Sequence, residues 1–404
     1  MAEAVRRNEP VLIVGAGPAG LATAAMLQRA GIASRILEAG PGVGTSWLNY
    51  YDSLRLHTGR RISGLPGYPL PRGYPVFVAR PAYLQYLRAY ARRFNLAITP
   101  RQRVLRAERA GDLWRLHTEH QVWEAPVLVA ASGIASRPST PQIPGMESFG
   151  GAMLHSSEYH DAAPFSGKRV LVVGVGNSGS EIALDLSSGG ADVALAIRNG
   201  ITVVPRVVGG VPVSYIALLL SYLPEQIRRA VRAPIMRRTE RRLRALGLKV
   251  GSPDDFPVIG LEILDAIREE RVQALGGVVG FEPDGARFED GTFAPADAVV
   301  LATGFRPALD YLAGYIVPPD QKQARLPVRA APEWPNLYFV GLYYDGLVGT
   351  LFQIGRQSRL VADAVKKSGA AHLPDAWVER AGREPIRPGG REDDNMDGDV
   401  DYSE

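Results

Sequence analysis

The sequence predicts an α/β fold in which one strand–turn–helix plan is used twice. Three observations predict it. "VLIVGAGPAGLATAAML" from Val11 and "RVLVVGVGNSGSEIALDL" from Arg169 each set the spacing G-x-G-x-x-G between a buried apolar run and a helical one. Each half then closes on an apolar strand ending in a small residue and glycine, "VLVAASG" and "VVLATG". The spans from turn to closing glycine are alike, 118 residues from Gly15 to Gly133 and 130 from Gly174 to Gly304. One glycine turn alone would be weak evidence; two with the same closing strand are an internal duplication.

The elements follow in order. Val11–Val14 reads as a buried strand, Pro18–Ala30 as a helix and Ser34–Glu38 as a second strand. After a long excursion comes a β-meander: "RVLRAER", a turn at Ala110–Asp112, "LWRLHTE", then "VWEAPVLVAASG". The second half repeats this with "RVLVVG", a helix over Ser178–Ser187, the strand "DVALAIR" and another excursion. A meander with two D-G turns, "VVGFEPDGARFEDGTFAPADAVVLATG", closes it. A chain of 404 residues holds two such domains with sizeable cores. The first is expected to be discontinuous, over 1–163 and 293–375. The second is inserted at 164–292, with 205–257 covering a substrate pocket, and 376–404 reads as a disordered acidic tail.

Composition narrows the chemistry. The chain has no cysteine, which removes disulfides, thiolate metal sites and a redox-active C-x-x-C. Its six histidines show no metal-binding spacing, and no G-x-S-x-G elbow occurs, so no metal is expected. The apolar run "VPVSYIALLLSYL" (Val211 to Leu223) is 13 residues, too short to span a bilayer. The opening "MAEAVRRNEP" carries no signal-peptide core, so a cytoplasmic location is expected. Net charge is +4, yet eight arginines fall between Arg228 and Arg244 and seven acids in the last 13 residues. This reads as a solvated helix face plus an acidic tail, with weak attraction to an anionic membrane surface or a phosphorylated cofactor as the alternative. No interleaved aromatics accompany the arginines, so nucleic acid is not an expected partner. A homodimer is left open.

The two turns differ where a ribose would sit. In Gly15-Ala16-Gly17-Pro18-Ala19-Gly20 the first glycine allows the turn, the second admits a pyrophosphate and the third lets helix and strand pack. The pyrophosphate then meets free N–H groups at the helix start. Eighteen residues past Gly20 stands Glu38, whose carboxylate accepts ribose hydroxyls and repels a 2′-phosphate, so this lobe suits FAD or NAD. In Gly174-Val175-Gly176-Asn177-Ser178-Gly179 the matching strand end carries Arg198, nineteen residues on. A guanidinium there pairs with a 2′-phosphate and favours NADPH, unless it is merely solvated. Two such nucleotides imply hydride transfer from nicotinamide to flavin. Without a cysteine pair, the reduced flavin must meet oxygen or a soluble acceptor.

Between the turns lies "FGGAMLHSSEY", with Phe149, Gly151, His155 and Tyr159 in the pattern F-x-G-x-x-x-H-x-x-x-Y. This resembles the signature of the class B flavin-containing monooxygenases. "SWLNYYDSLRLHT", "LPGYPLPRGYPVF", "PVIGLEIL" and "DAVVLATGF" resemble its YUCCA-like, indole-3-pyruvate monooxygenase-like branch and bacterial relatives. The likeness runs over about residues 8–365. It implies two nested Rossmann-like domains in a glutathione-reductase-like architecture, with FAD and NADPH as cofactors. It places FAD on Gly15, Gly17, Pro18, Ala19, Gly20 and Glu38, with Trp47 against it and Val104 meeting the adenine through its backbone. It places NADPH on Gly174, Gly176, Asn177, Ser178, Gly179 and Arg198. Where many members carry threonine-asparagine this chain has Leu56-His57, so His57 is a candidate for the flavin–nicotinamide neighbourhood or else a satisfied structural histidine. His155 reads as a conformational residue more than a proton carrier, and Phe149 and Tyr159 also suit a plain core.

The implied activity is a monooxygenase that forms a flavin hydroperoxide and passes one oxygen atom to a small organic substrate. An amine or sulfide, or a ketone or α-keto acid, fits that chemistry. The alternative is an NAD(P)H-dependent flavin reductase or electron-transfer flavoprotein without oxygen insertion.

Overall fold

The computed structural model describes residues 5–6, 9–252, 256–316, 328, 334–342 and 348–370. Two five-stranded parallel sheets carry it. The first runs, edge to edge, Leu337–Phe339, Val127–Ala130, Val11–Val14, Arg35–Leu37, Ile98–Thr99. The second runs Ala152–His155, Ala298–Leu301, Arg169–Val173, Asp192–Ala196, Val272–Leu275. In both, the glycine-turn strand is central, flanked by the closing strand and the strand that follows the helix. Strands buried on both faces need unbroken apolar runs, and "VLIV" and "VLVA" are buried throughout. The expected duplication is therefore present strand for strand.

The meanders also repeat. Val104–Ala110, Leu113–Thr118 and Val122–Ala125 pair antiparallel before the chain enters the first sheet at Val127. Val278–Glu282, Gly285–Phe288 and Phe293–Pro295 do the same before Ala298. Two segments cross between the sheets as a short antiparallel pair, Arg137–Pro138 with Phe305–Arg306. The stretch "LATGF" thus leads the chain back toward the first sheet.

The sheet membership corrects two expected boundaries. Ala152–His155 was placed in the first domain (1–163) and Ala298–Leu301 in its second part (293–375), yet both pair within the second sheet. Ala152–His155 is four residues long and bonded to a strand remote in sequence, so local pattern does not show its sheet. Ala298–Leu301 keeps its place as the closing strand of the second half, and only the bound at 293 moves. Residues 376–404, the expected tail, lie outside the described residues.

Steric fit at the turns sets how closely helix and strand approach. Gly15 and Gly174 have φ of 106° and 105°, the left-handed side that favours glycine. A Cβ on either would meet a backbone carbonyl oxygen of the closing strand's end, Ala131 or Ala302, at 2.6 Å. A Cβ on Gly20 or Gly179 would fall on the carbonyl oxygen of Gly15 or Gly174. The middle glycines differ: nothing lies within 4 Å of a Cβ on Gly17 or Gly176. We expect Gly179→Ala to destabilise the cofactor-free protein by at least about 1–3 kcal/mol. Gly176→Ala, at φ −68°, should leave it within about 0.5 kcal/mol. Thermal unfolding of the two variants side by side checks the contrast.

Candidate active site

The first turn opens helix Pro18–Arg29, with proline at its first position where a missing N–H costs nothing. Ala19 is buried against the chain at Gly341, where the closing helix Thr350–Ser368 also packs through Ile354. Glu38, at the end of the next strand, is buried and its carboxylate accepts N–H bonds from Ala16 (2.6 Å) and Gly40 (2.8 Å). The turn is thereby tied to the position where a ribose would lie. Gln102 N–H donates to the Glu38 carbonyl at 2.7 Å, which brings Val104, two residues on, to the same end of the sheet. Gly44 N–H donates to Ala16 O at 3.0 Å and starts the short helix Thr45–Leu48 beside the turn. Trp47 on that helix packs on Tyr83 (ring centroids 4.6 Å) and edge-on to Tyr50 (5.7 Å).

The second turn opens helix Asn177–Ser188 in the same way. Its Asn177 side chain is already engaged, donating to Pro257 O (3.1 Å) and accepting from Ile259 N–H (2.8 Å). That pair pins the end of the second excursion to the turn. Arg198 lies exposed just past strand Asp192–Ala196, with its stem against Gly277. Both turns thus present an open middle glycine at a helix start, the cradle an anionic dinucleotide requires. The residues present fit two nucleotides.

Helix Asn177–Ser188 carries two carboxylates one turn apart that sequence reasoning passed over, Glu181 and Asp185. Glu181 accepts hydrogen bonds from Tyr51 (2.6 Å) and His57 Nε2 (2.8 Å), and Arg206 approaches at 3.4 Å. Burial pushes the Glu181 carboxyl up, but the bonds from His57 and Tyr51 and the Arg206 charge outweigh it and hold the group below its usual range. Burial also raises the Tyr51 hydroxyl, with the Glu181 charge adding to it, and Ser178 bonds to the same hydroxyl. His57 thus sits in a hydrogen-bonded bridge between the first excursion and the second nucleotide helix. Asp185 takes the Tyr159 hydroxyl at 2.6 Å. The one signal in the sequence is the spacing i, i+3 and i+7 of Ser178, Glu181 and Asp185, which puts both carboxylates on one face of the helix.

The signature stretch has a mechanical explanation at each position. Phe149 packs on Phe281 of the meander, at 5.9 Å between centroids. Gly151 lies against Asp297, where a Cβ would strike the backbone carbonyl. His155, 5% exposed, donates from Nε2 to Gly304 O (3.1 Å) and accepts at Nδ1 from Ser157 (2.9 Å). Its ring stands edge-on to Phe305 at 5.0 Å, so it clamps the crossing linker. Tyr159 is fully buried and stacks on Phe165.

The comparisons with known proteins agree with this architecture. A family model described as a pyridine nucleotide-disulphide oxidoreductase matches residues 12–205. Disulfide chemistry has no thiol here, since the chain lacks cysteine. An indole-3-pyruvate monooxygenase of the YUCCA group from Oryza sativa subsp. indica, YUCCA8, is 35% identical over 397 residues, 91% of each chain. A probable indole-3-pyruvate monooxygenase from Arabidopsis thaliana, YUCCA4, is 32% identical over 93% of each. Among solved structures, a flavin-containing monooxygenase from Stenotrophomonas maltophilia superimposes with a TM-score of 0.71 at 27% identity, covering 90% of this chain and all of that one. The chain belongs to the class B flavin-dependent monooxygenases, in the YUCCA-like branch, enzymes whose cofactors are FAD and NADPH. Among the described residues no acidic or histidine cluster of three could hold a metal, and no helix is long and apolar enough to cross a membrane.

Two outcomes test these contacts. Burial lowers the His155 pKa below 6.5, so the folded ring stays neutral where the unfolded one takes a proton. Stability should therefore fall as pH drops below about 6.5, and His155→Gln should remove part of that acid-side loss. Urea unfolding across that pH window reads it. Glu181→Gln leaves Arg206 without its carboxylate and should cost about 1–3 kcal/mol, measured as a shift in the urea midpoint.

Proposed function

We propose that the chain is an NADPH- and FAD-dependent monooxygenase that transfers one oxygen atom from O2 to a small organic substrate. The observation that carries this reading is the pair of matched glycine turns, each open at its middle glycine, in a cysteine-free chain. The first turn holds FAD. Glu38 spends one lone pair of each oxygen on Ala16 and Gly40, and the others remain for ribose hydroxyls. The second holds NADPH, with Arg198 at the ribose position as the 2′-phosphate partner. Trp47 and Val104 complete the FAD side, while the backbone at Asn177 and Ser178 faces the pyrophosphate.

Bound FAD, reduced by NADPH, supplies the oxygen-activating chemistry. The chain's residues place the two nucleotides and keep water out. His57, held by Glu181, fixes the first excursion against the nucleotide helix at the junction of the lobes. His155 has both ring nitrogens engaged, which suits it to set the linker and not to carry protons. The second excursion meets the first beside this junction: Ser214 accepts from Gly59 N–H at 3.1 Å and the Tyr215 hydroxyl accepts from Arg61 N–H at 3.1 Å.

The relatives' activity makes aryl pyruvates the first substrate class to test, followed by thioethers, tertiary amines and ketones. NADPH oxidation should be stimulated by one of these classes, and the product should show an oxygen atom drawn from O2 by mass spectrometry. NADPH consumption that follows only an added electron acceptor, with no oxygenated product, would make the protein a flavin reductase instead. Arg198→Ala should lower the preference for NADPH over NADH at least tenfold in kcat/KM, about 1.4 kcal/mol. Steady-state kinetics with both nucleotides reads the ratio.

A further inference from the structure

Exposed apolar residues are concentrated in one part of the molecule. Thirteen large hydrophobic residues are exposed among the described ones, and seven of them fall between Val207 and Val231. Two consecutive helices, Val213–Ser221 and Glu225–Ala245, joined at 222–224, form this region. Its tip is the most exposed part: Leu219 at 70%, Tyr222 at 76%, Leu223 at 42% and Ile227 at 46%. A tip so apolar has no folding reason to face water.

The second helix shows what the tip is joined to. Thr239 and Leu243, four apart, are its buried residues and fix its inward face. At 100° per residue the opposite face reads Ile227, Val231 and Pro234, then Arg237, Arg238, Arg241 and Arg244. The outward face is thus apolar for its first half and cationic for its second. Those four arginines are exposed and make no ion pair among the described residues, whereas Arg228 and Arg229 pair with Glu225 and Arg242 pairs with Asp265. Over residues 205–250 ten basic side chains stand against two acidic ones.

We propose that this helix pair is a docking surface for a bilayer containing anionic lipid. The aliphatic tip and Tyr222 enter the interface, and the arginine half of the helix lies along the headgroups. The charge sign selects an anionic partner. The exposure selects a bilayer, because apolar side chains standing 42–76% exposed need a matching groove on a protein but none on a lipid surface. Long arginine stems also cover apolar surface while their heads stay in the headgroup layer. The start of the first helix bonds to Gly59 and Arg61 through Ser214 and Tyr215, so docking brings the lobe junction close to the membrane.

The test uses the full FAD-loaded chain and vesicle flotation. Phosphatidylcholine vesicles with about a quarter phosphatidylglycerol should carry the protein at least tenfold better than phosphatidylcholine alone, and raising salt from about 0.05 to 0.5 M should weaken that binding. Leu219→Ser with Tyr222→Ser should lose it at any salt. Arg237→Glu with Arg238→Glu and Arg241→Glu should lose the dependence on anionic lipid. All five positions are exposed, and unchanged melting temperatures verify the fold. Equal binding of the unsubstituted chain to both vesicle types, a Leu219 and Tyr222 variant that still floats, or an arginine variant that keeps its preference for anionic vesicles, overturns the proposal. Light scattering that shows a dimer, broken into monomers by the Leu219 and Tyr222 substitutions, overturns it in favour of a second copy as the occupant.

Discussion

Everything in this molecule depends on how closely a helix can approach the strand that precedes it. At Gly20 and Gly179 the missing Cβ lets the helix rest on the carbonyl of the turn's first glycine. That contact aims the helix start, with its unpaired N–H groups, at the space beside the middle glycine. The same solution is used twice, down to a φ that differs by one degree between Gly15 and Gly174. A side chain at either third glycine would push the helix away from its sheet and blunt the cradle.

The second consequence of that placement is the polar face of helix Asn177–Ser188. Once the helix is seated, Ser178, Glu181 and Asp185 line the side turned toward the first excursion and the signature segment. Two tyrosine hydroxyls and a histidine converge on the two carboxylates, each within 2.8 Å. Buried carboxylates without partners would be costly, so the pairing specifies how the segments meet. The nucleotide helix therefore also registers one half of the duplication against the other.

Some of this was legible in the residues and some was not. The turns, the closing strands and both meanders could be read because each rests on a local steric rule: glycine where φ is positive, alternation in a meander, D-G at a hairpin. The bridge could not. Tyr51 and His57 meet Glu181 from 130 and 124 residues away, a distance no periodicity spans. The domain bound that left Ala152–His155 with the first sheet missed for the same reason, since parallel pairing joins strands that are not neighbours in the chain. Ala298–Leu301, by contrast, was legible as the second half's closing strand although the bound at 293 cut it off. The signature was recognised as a pattern, and only the contacts show that Phe149, Gly151, His155 and Tyr159 each fasten a different neighbour.

The two turns are matched so that a flavin and a nicotinamide can be held in one chain. Anaerobic mixing of the FAD-loaded protein with stoichiometric NADPH, followed at the flavin absorbance band, tests it most directly. The band should bleach in full and return on admitting oxygen. A flavin that stays oxidised in excess NADPH, or a chain that retains no FAD at all, would contradict it.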